Sequence, residues 1–284
     1  MSRAKIETLL GEYGIRLSKR RGQPHVVDPR VLERMVNYAG LSPKDTVLEV
    51  GAGVGNLTEL LSQRAGRVVA VEEDDRLARL LKERLGGCSN VEILRGDALK
   101  LELPKFDKIV ANLPYSISSD ITFRLLEHDF QLAVLMYQKE FARRLVASPG
   151  ERDYGRLSVS VYYRAKVEIL EEVPPRAFFP RPKVTSAIVR LKPRAPPFEV
   201  GDEEAFADVV RAMFQHRRQK VCNALLRSFG EVFPGLELSR GEKRRIIREV
   251  LPGGLWDKRP ADVSPEEYGK IANSVATFRS SLLA

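Results

Sequence analysis

The chain has 284 residues, a formal net charge of +9 and two cysteines. That length can bury a full core divided between one large domain and a smaller appendage, and the basic balance favours an anionic partner, nucleic acid or an acidic membrane surface. No apolar run approaches the ~20 residues of a membrane span, the N-terminus lacks a signal-peptide core, Cys88 and Cys222 form no paired motif, and His25, His128 and His216 have no ligand spacing, so a soluble cytoplasmic protein with reduced thiols and no metal is expected.

Residues 1–30 read as a basic arm in which Lys19, Arg20 and Arg21 precede Gly22. From residue 46 onward, short β-branched runs alternate with helical patterns, as a parallel sheet with crossover helices requires. Residues 46–50 form a buried strand, 51–55 a glycine loop and 56–64 a helix with one apolar face; 67–71 and 76–85 repeat the strand and the helix. Strands follow at 91–94, 108–111 and 132–137, with helices over 121–126 and 140–146. Two closing strands are expected at 158–163 and 186–191, after which Pro193, Pro196 and Pro197 mark a linker. Beyond it the sequence is helical and basic, notably over 215–220 and 240–248. The expected organisation is an arm over 1–30, an α/β domain over 31–195 and a helical, RNA-binding domain over 196–284.

The stretch from Glu49 through Gly51, Gly53 and Gly55 ends a strand and opens a helix, so bare backbone can approach a ligand at the carboxyl edge of the sheet. Its spacing departs from the GxGxxG of a pyrophosphate site and an acid precedes it, which favours a ligand without phosphates. Glu72 ends the next strand, where a carboxylate can accept both ribose hydroxyls, as in NAD and S-adenosylmethionine sites. Asp97, in Gly96-Asp97-Ala98, is positioned to accept from an adenine amine. Each acid alone fits a solvated loop better than a site; at successive strand ends the set reads as a nucleoside pocket.

The fourth strand ends in Asn112, Leu113, Pro114 and Tyr115. An Asn side-chain carbonyl, followed by a backbone carbonyl held by the next proline, offers two acceptors to one exocyclic NH₂ group, and the Tyr ring can stack on the base that carries it. The plain alternative is a strand leading into a proline turn.

With these pieces in place, the chain resembles the small-subunit ribosomal RNA adenine dimethyltransferase family, in its archaeal form. The matching residues are those from Glu49 to Gly55, Glu72, Gly96-Asp97-Ala98, Asn112 to Tyr115, Gln138-Lys139-Glu140, Tyr154-Gly155-Arg156-Leu157-Ser158, Val173-Pro174-Pro175 and Phe178 to Val184. The resemblance implies a Rossmann-like α/β methyltransferase domain with a small C-terminal helical domain. It also implies S-adenosyl-L-methionine as methyl donor, and dimethylation of two adjacent adenosines near the 3′ end of small-subunit rRNA. A role in small-subunit biogenesis, a monomeric enzyme, and Phe178 as a second aromatic wall for a flipped adenine go with it.

One departure lies in the arm, where the family carries Gly-Gln-His/Asn-Phe-Leu and this chain has Gly22-Gln23-Pro24-His25-Val26-Val27. An ungapped match puts Pro24 at the His/Asn position and Val26 at the Leu; a one-residue gap puts His25 and Val27 there. His25, Val26 and Val27 therefore join Gly51, Gly53, Glu72, Asp97, Ala98 and Asn112 as cofactor-side candidates. Rivals are a related enzyme acting on large-subunit rRNA or DNA adenine, and an assembly factor that keeps the fold without the reaction. The acidic set with Asn112 speaks against a pure binder, which needs no methyl-donor pocket. Lys19, Arg20, Arg21, Arg217, Arg218 and Lys220 are the candidates for holding RNA phosphates.

Overall fold

The computed structural model describes residues 3–15 and 24–282. Lys19, Arg20 and Arg21 lie outside the described residues. The chain divides into two compact units, one of residues 1–142 and 166–193 and the other of residues 143–165 and 194–284.

The first unit begins with α1 (Arg3–Glu12), β1 (His25–Val26) and α2 (Pro29–Ala39). The start of α2 is written locally: Asp28 accepts from the Arg30 N–H at 3.0 Å and Pro29 occupies the first turn, where its missing N–H costs nothing. Next come β2 (Thr46–Val50), α3 (Asn56–Ser62), β3 (Arg67–Glu72), α4 (Asp75–Leu85), β4 (Val91–Arg95), β5 (Lys108–Asn112), α5 (Ser118–Leu125), β6 (Leu132–Gln138) and α6 (Lys139–Val146). After an excursion into the other unit the chain returns as β7 (Ala165–Val173), β8 (Phe178–Phe179) and β9 (Ser186–Pro193).

One seven-stranded sheet runs β4-β3-β2-β5-β6-β9-β7, parallel from β4 to β6, with β9 antiparallel to β6. Val47, Leu48, Val68, Val69, Ile109 and Val110 are fully buried, as strands covered on both faces must be, and this explains their unbroken apolar runs. Strand order reverses between β2 and β5, so the carboxyl ends of those two strands flank the crevice in which such sheets bind ligands. In their register Leu48 faces Ile109; continued to the strand ends, it sets Gly51 level with Asn112. A separate two-stranded ribbon pairs His25 with Phe179 and Val26 with Phe178.

The second unit holds α7 (Arg156–Arg164), α8 (Glu203–Gln215), α9 (Val221–Arg227), α10 (Phe229–Val232), α11 (Arg240–Val250) and α12 (Pro265–Ser281). Two expectations are corrected here. The strand expected at 158–163 is the helix α7: Ser158 Oγ accepts from the Gly155 N–H at 3.0 Å and donates to the Arg144 carbonyl at 2.6 Å, anchoring a helical start. Burial of Leu157, Val159, Val161 and Tyr163 then outweighs the strand preference of a Val- and Tyr-rich run. The missing strand is β7, whose charged, half-exposed sequence suits the edge of a sheet.

The expected helical run over 215–220 is also corrected, because α8 ends at Gln215 and turns follow. The unit's core joins Tyr154, Val159 and Tyr163 to Phe206, Met213 and Tyr268. Residues 143–165, expected within the α/β domain, thus pack with the C-terminal helices. Among the described residues, no helix is long and apolar enough to cross a membrane and no cluster of three metal-ligand side chains occurs.

Candidate active site

The loop after β2 turns back over its own sheet. Gly51 and Ala52 donate their N–H groups to the Val71 carbonyl at 2.9 and 3.2 Å, while Gly51, Gly53 and Gly55 all have positive φ, a conformation that penalises a Cβ. At Gly53 the reason is also steric, since a Cβ would sit 2.8 Å from the His25 ring. The loop is braced by Arg84, unrecognised in the sequence, whose guanidinium donates to the Val54 carbonyl and pairs with Glu59. Its partners lie some thirty positions away, so no local pattern could reveal it.

Two carboxyl groups stand at the loop. Glu72 is 4% exposed and takes the Gly53 N–H at 2.8 Å on one oxygen and the Asp74 N–H at 3.0 Å on the other. Each oxygen has a second lone pair, so the group retains acceptor capacity for a diol. Burial raises its pKa, against the backbone hydrogen bonds that lower it. Glu49, on the buried strand itself, goes further: burial, opposed by the Thr58 hydroxyl and reinforced by the charge of Glu72, pushes its carboxyl up to about 8. Its Oε2 has no hydrogen-bond partner among the described residues.

Asp97 keeps a pKa below the usual carboxylate range, chiefly through the Leu99 N–H that it accepts at 2.9 Å and also through Lys100 at 3.3 Å. Ala98 beside it is buried. These groups fit a nucleoside: a backbone cradle closed to a Cβ at Gly53, a carboxylate with spare lone pairs, and a buried oxygen without a partner among the described residues.

Among the cofactor-side candidates of the arm, His25 lies against Gly53 of the glycine loop. Its ring is half-buried, and burial pulls its pKa down to about 4, so the imidazole is neutral at neutral pH. Val26 points into the core and its carbonyl accepts from Asn56 Nδ2 at 3.3 Å. The Val27 N–H goes to the Ala177 carbonyl at 2.8 Å.

Asn112 ends β5 with its Nδ2 donating to the Pro24 carbonyl at 2.9 Å. A carbonyl can only accept, so this contact fixes which end of the carboxamide is which. Oδ1 therefore faces away from Pro24, shielded from solvent and without a partner among the described residues. Such an orphan costs about 1–3 kcal/mol, and a site that exists to accept a ligand's N–H accounts for its retention. Leu113 is buried, and Pro114 (φ −59, ψ 124) leads the chain into a 3₁₀ turn over Tyr115–Ile117. The half-buried Tyr115 is held by a 2.6 Å hydrogen bond between its hydroxyl and Ser186 Oγ.

Phe178 departs from the open wall expected of it. Its ring is 3% exposed and belongs to the same apolar cluster as Val26, Leu32 and Ile188, so in the ligand-free protein it is a core residue. The motif Tyr154-Gly155-Arg156-Leu157-Ser158 is likewise architectural, for Tyr154 is buried and donates to the Val263 carbonyl at 2.8 Å. Among the phosphate-binding candidates, Arg217 donates to the carbonyls of Glu151 and Arg152 at 3.1 and 2.7 Å and Lys220 pairs with Asp257 at 2.6 Å, which leaves Arg218 exposed.

Comparison with known proteins gives concordant matches. The family described as "Ribosomal RNA adenine dimethylase" matches residues 15–241. A Methanosarcina acetivorans protein named "Probable ribosomal RNA small subunit methyltransferase A" is 44% identical over 275 residues, 97% of this chain and 99% of its own. A dimethyladenosine transferase structure from Plasmodium falciparum superposes with a TM-score of 0.73 at 31% identity, covering 86% of this chain and 94% of its own. The structure of the 23S rRNA methyltransferase ErmE does so with a TM-score of 0.62 at 32% identity, covering 88% and 98%.

Proposed function

Since the chain belongs to the ribosomal RNA adenine dimethylase family, we propose that it transfers methyl groups from S-adenosyl-L-methionine to the exocyclic amines of two adjacent adenosines near the 3′ end of small-subunit rRNA. The observation that carries the amine site is the partnerless, solvent-shielded Oδ1 of Asn112, aimed by the Pro24 carbonyl behind it.

Bound S-adenosylmethionine supplies an electrophilic methyl group on a sulfonium. Gly51 and Gly53 would offer bare backbone to it, Glu72 would offer acceptors for its ribose, Asp97 and Ala98 would border its adenine, and His25 would close the loop from the arm. The adenine amine of the RNA is a poor nucleophile, because its lone pair is delocalised into the ring. Asn112 Oδ1 accepts one of its N–H groups and the Leu113 carbonyl, stiffened by Pro114, accepts the other. Together they favour a pyramidal nitrogen whose lone pair is directed at the methyl group, which is catalysis by positioning and electrostatics.

The proton leaves the nitrogen after the new N–C bond forms, so no buried base is required. Tyr115 stacks on the extruded base. Unstacking the base costs a few kcal/mol, which that stacking offsets. The enzyme acts as a cytoplasmic monomer on the RNA within a small-subunit precursor. High identity to the archaeal small-subunit relatives favours that substrate over the large-subunit RNA named for ErmE.

The test is transfer of labelled methyl to undermethylated small ribosomal subunits with nucleoside mapping. Dimethyladenosine formed by the wild type and absent with Asn112→Ala supports both the reaction and the amine site. Transfer to large-subunit RNA alone, or none despite cofactor binding, overturns the reading.

A further inference from the structure

We propose that the solvent face of α11 is a phosphate-tracking strip on which the backbone of the RNA substrate lies. This rests on the reading that the substrate is ribosomal RNA, and it assigns the contact to residues different from the basic run at 217–220. Arg240, Arg244 and Arg248 recur every four residues and are all exposed. They form one row along the helix, with successive Cα atoms roughly 6 Å apart along the axis. Among the described residues none of them takes part in an ion pair, whereas the cations of the 217–220 run are largely spent on Asp257 and on backbone carbonyls.

The row is unfavourable for the helix that carries it. Like charges at i,i+4 repel by about 0.2–0.5 kcal/mol a pair, and Arg240 places a cation in the first turn, against the helix dipole. The acids on the helix do not relieve it: Glu242 is committed to the Ser239 N–H at 2.8 Å and to its hydroxyl at 2.5 Å as the N-terminal cap, and Glu249 pairs with no cation among the described residues. A helix built only to cover a core would alternate signs here.

Two cations of α11, Arg248 of the row and Lys243 beside it, are also pre-set in direction. The Arg248 guanidinium lies 5.3 Å from the centre of the Trp256 ring and Lys243 Nζ lies 5.3 Å from that of Phe229, which reduces the rotamer freedom lost when an anion arrives. A cation row of that pitch, free of ion pairs among the described residues and held in direction at Arg248, complements a chain of phosphates and carries no means of reading bases, so the contact supplies affinity and orientation.

The experiment compares the full-length wild type with Arg240→Gln/Arg244→Gln/Arg248→Gln, and with a control that removes three exposed cations of the other unit, Lys44→Gln/Arg64→Gln/Lys82→Gln. The readout is the salt dependence of binding to undermethylated small-subunit RNA. Gln sustains helices about as well as Arg, and melting no lower than that of the wild type, with unchanged S-adenosylmethionine affinity, verifies that the variant is intact. The α11 variant is expected to flatten the slope of log K against log salt by about 2–3, at roughly 0.7–0.9 per phosphate contact, with the control unchanged. An unaltered slope, or equal flattening by the control, overturns the strip. If instead the wild type binds with the expected slopes yet yields no dimethyladenosine, the proposed reaction fails while the strip stands.

Discussion

Asn112 and Tyr115 carry their roles through atoms that can be removed one at a time. Truncating Asn112 to Ala deletes the acceptor and leaves the fold its Pro24 carbonyl to satisfy. Methyl transfer is expected to fall about 10²–10³-fold in kcat, on the scale of losing one preorganised electrostatic contact. Tyr115→Ala should cost roughly 1–3 kcal/mol in kcat/KM for RNA if the ring stacks on the base. Tyr115→Phe keeps the ring and loses only the bond to Ser186, so it should retain most of the activity; equal losses for both variants would assign Tyr115 to the fold instead. Asn112, Glu72 and the glycines were legible in the sequence because each sits at a strand end, where the α/β pattern itself predicts exposure to ligand. The orientation of Asn112 was not, since Pro24 lies 88 residues away. Nor was the burial of Phe178, because a motif fixes residue type and not the depth at which a ring lies.

At the level of the element, β2 carries an acid through the middle of the sheet. The Glu49 carboxyl holds its proton up to about pH 8 in the folded protein, whereas an unfolded chain releases it in the ordinary carboxylate range. Unfolding between those limits releases a proton, so this group's stabilisation is intact at low pH and is lost as pH rises through about 8. For the ligand-free protein, Glu49→Gln is expected to abolish that component, melting higher than wild type at pH 8.5 and with little difference at pH 4.5. A difference that grows toward acid would refute the assignment. The parallel strands were legible because burial on both faces writes continuous apolar runs. The edge strand β7 was not, since one side of it meets solvent, and its Glu168 and Glu171 form ion pairs with Arg190 and Arg34, a composition that imitates a loop. In α7 the converse holds: Ser alternating with Val, then two Tyr, imitates a strand until a distant core claims one helical face.

Across the whole molecule, the prolines near 193–197 marked one boundary between the units, but the other two had no compositional signature. Residues 143–165 belong with the C-terminal helices only because Tyr154, Val159 and Tyr163 complete their core. A fragment of residues 196–284 is therefore expected to lack a cooperative thermal transition, and one of residues 1–195 to expose those three side chains and aggregate; sharp calorimetric melting of the shorter fragment would disprove this. The chain passes between units at 142/143, 165/166 and 193/194, and that threading bears on inheritance. A single crossover event near residue 194 would deliver a new set of helices without the residues that seal them. Retargeting by recombination is thereby obstructed, and changes in RNA preference are channelled into point substitutions on the outer faces of helices already in place.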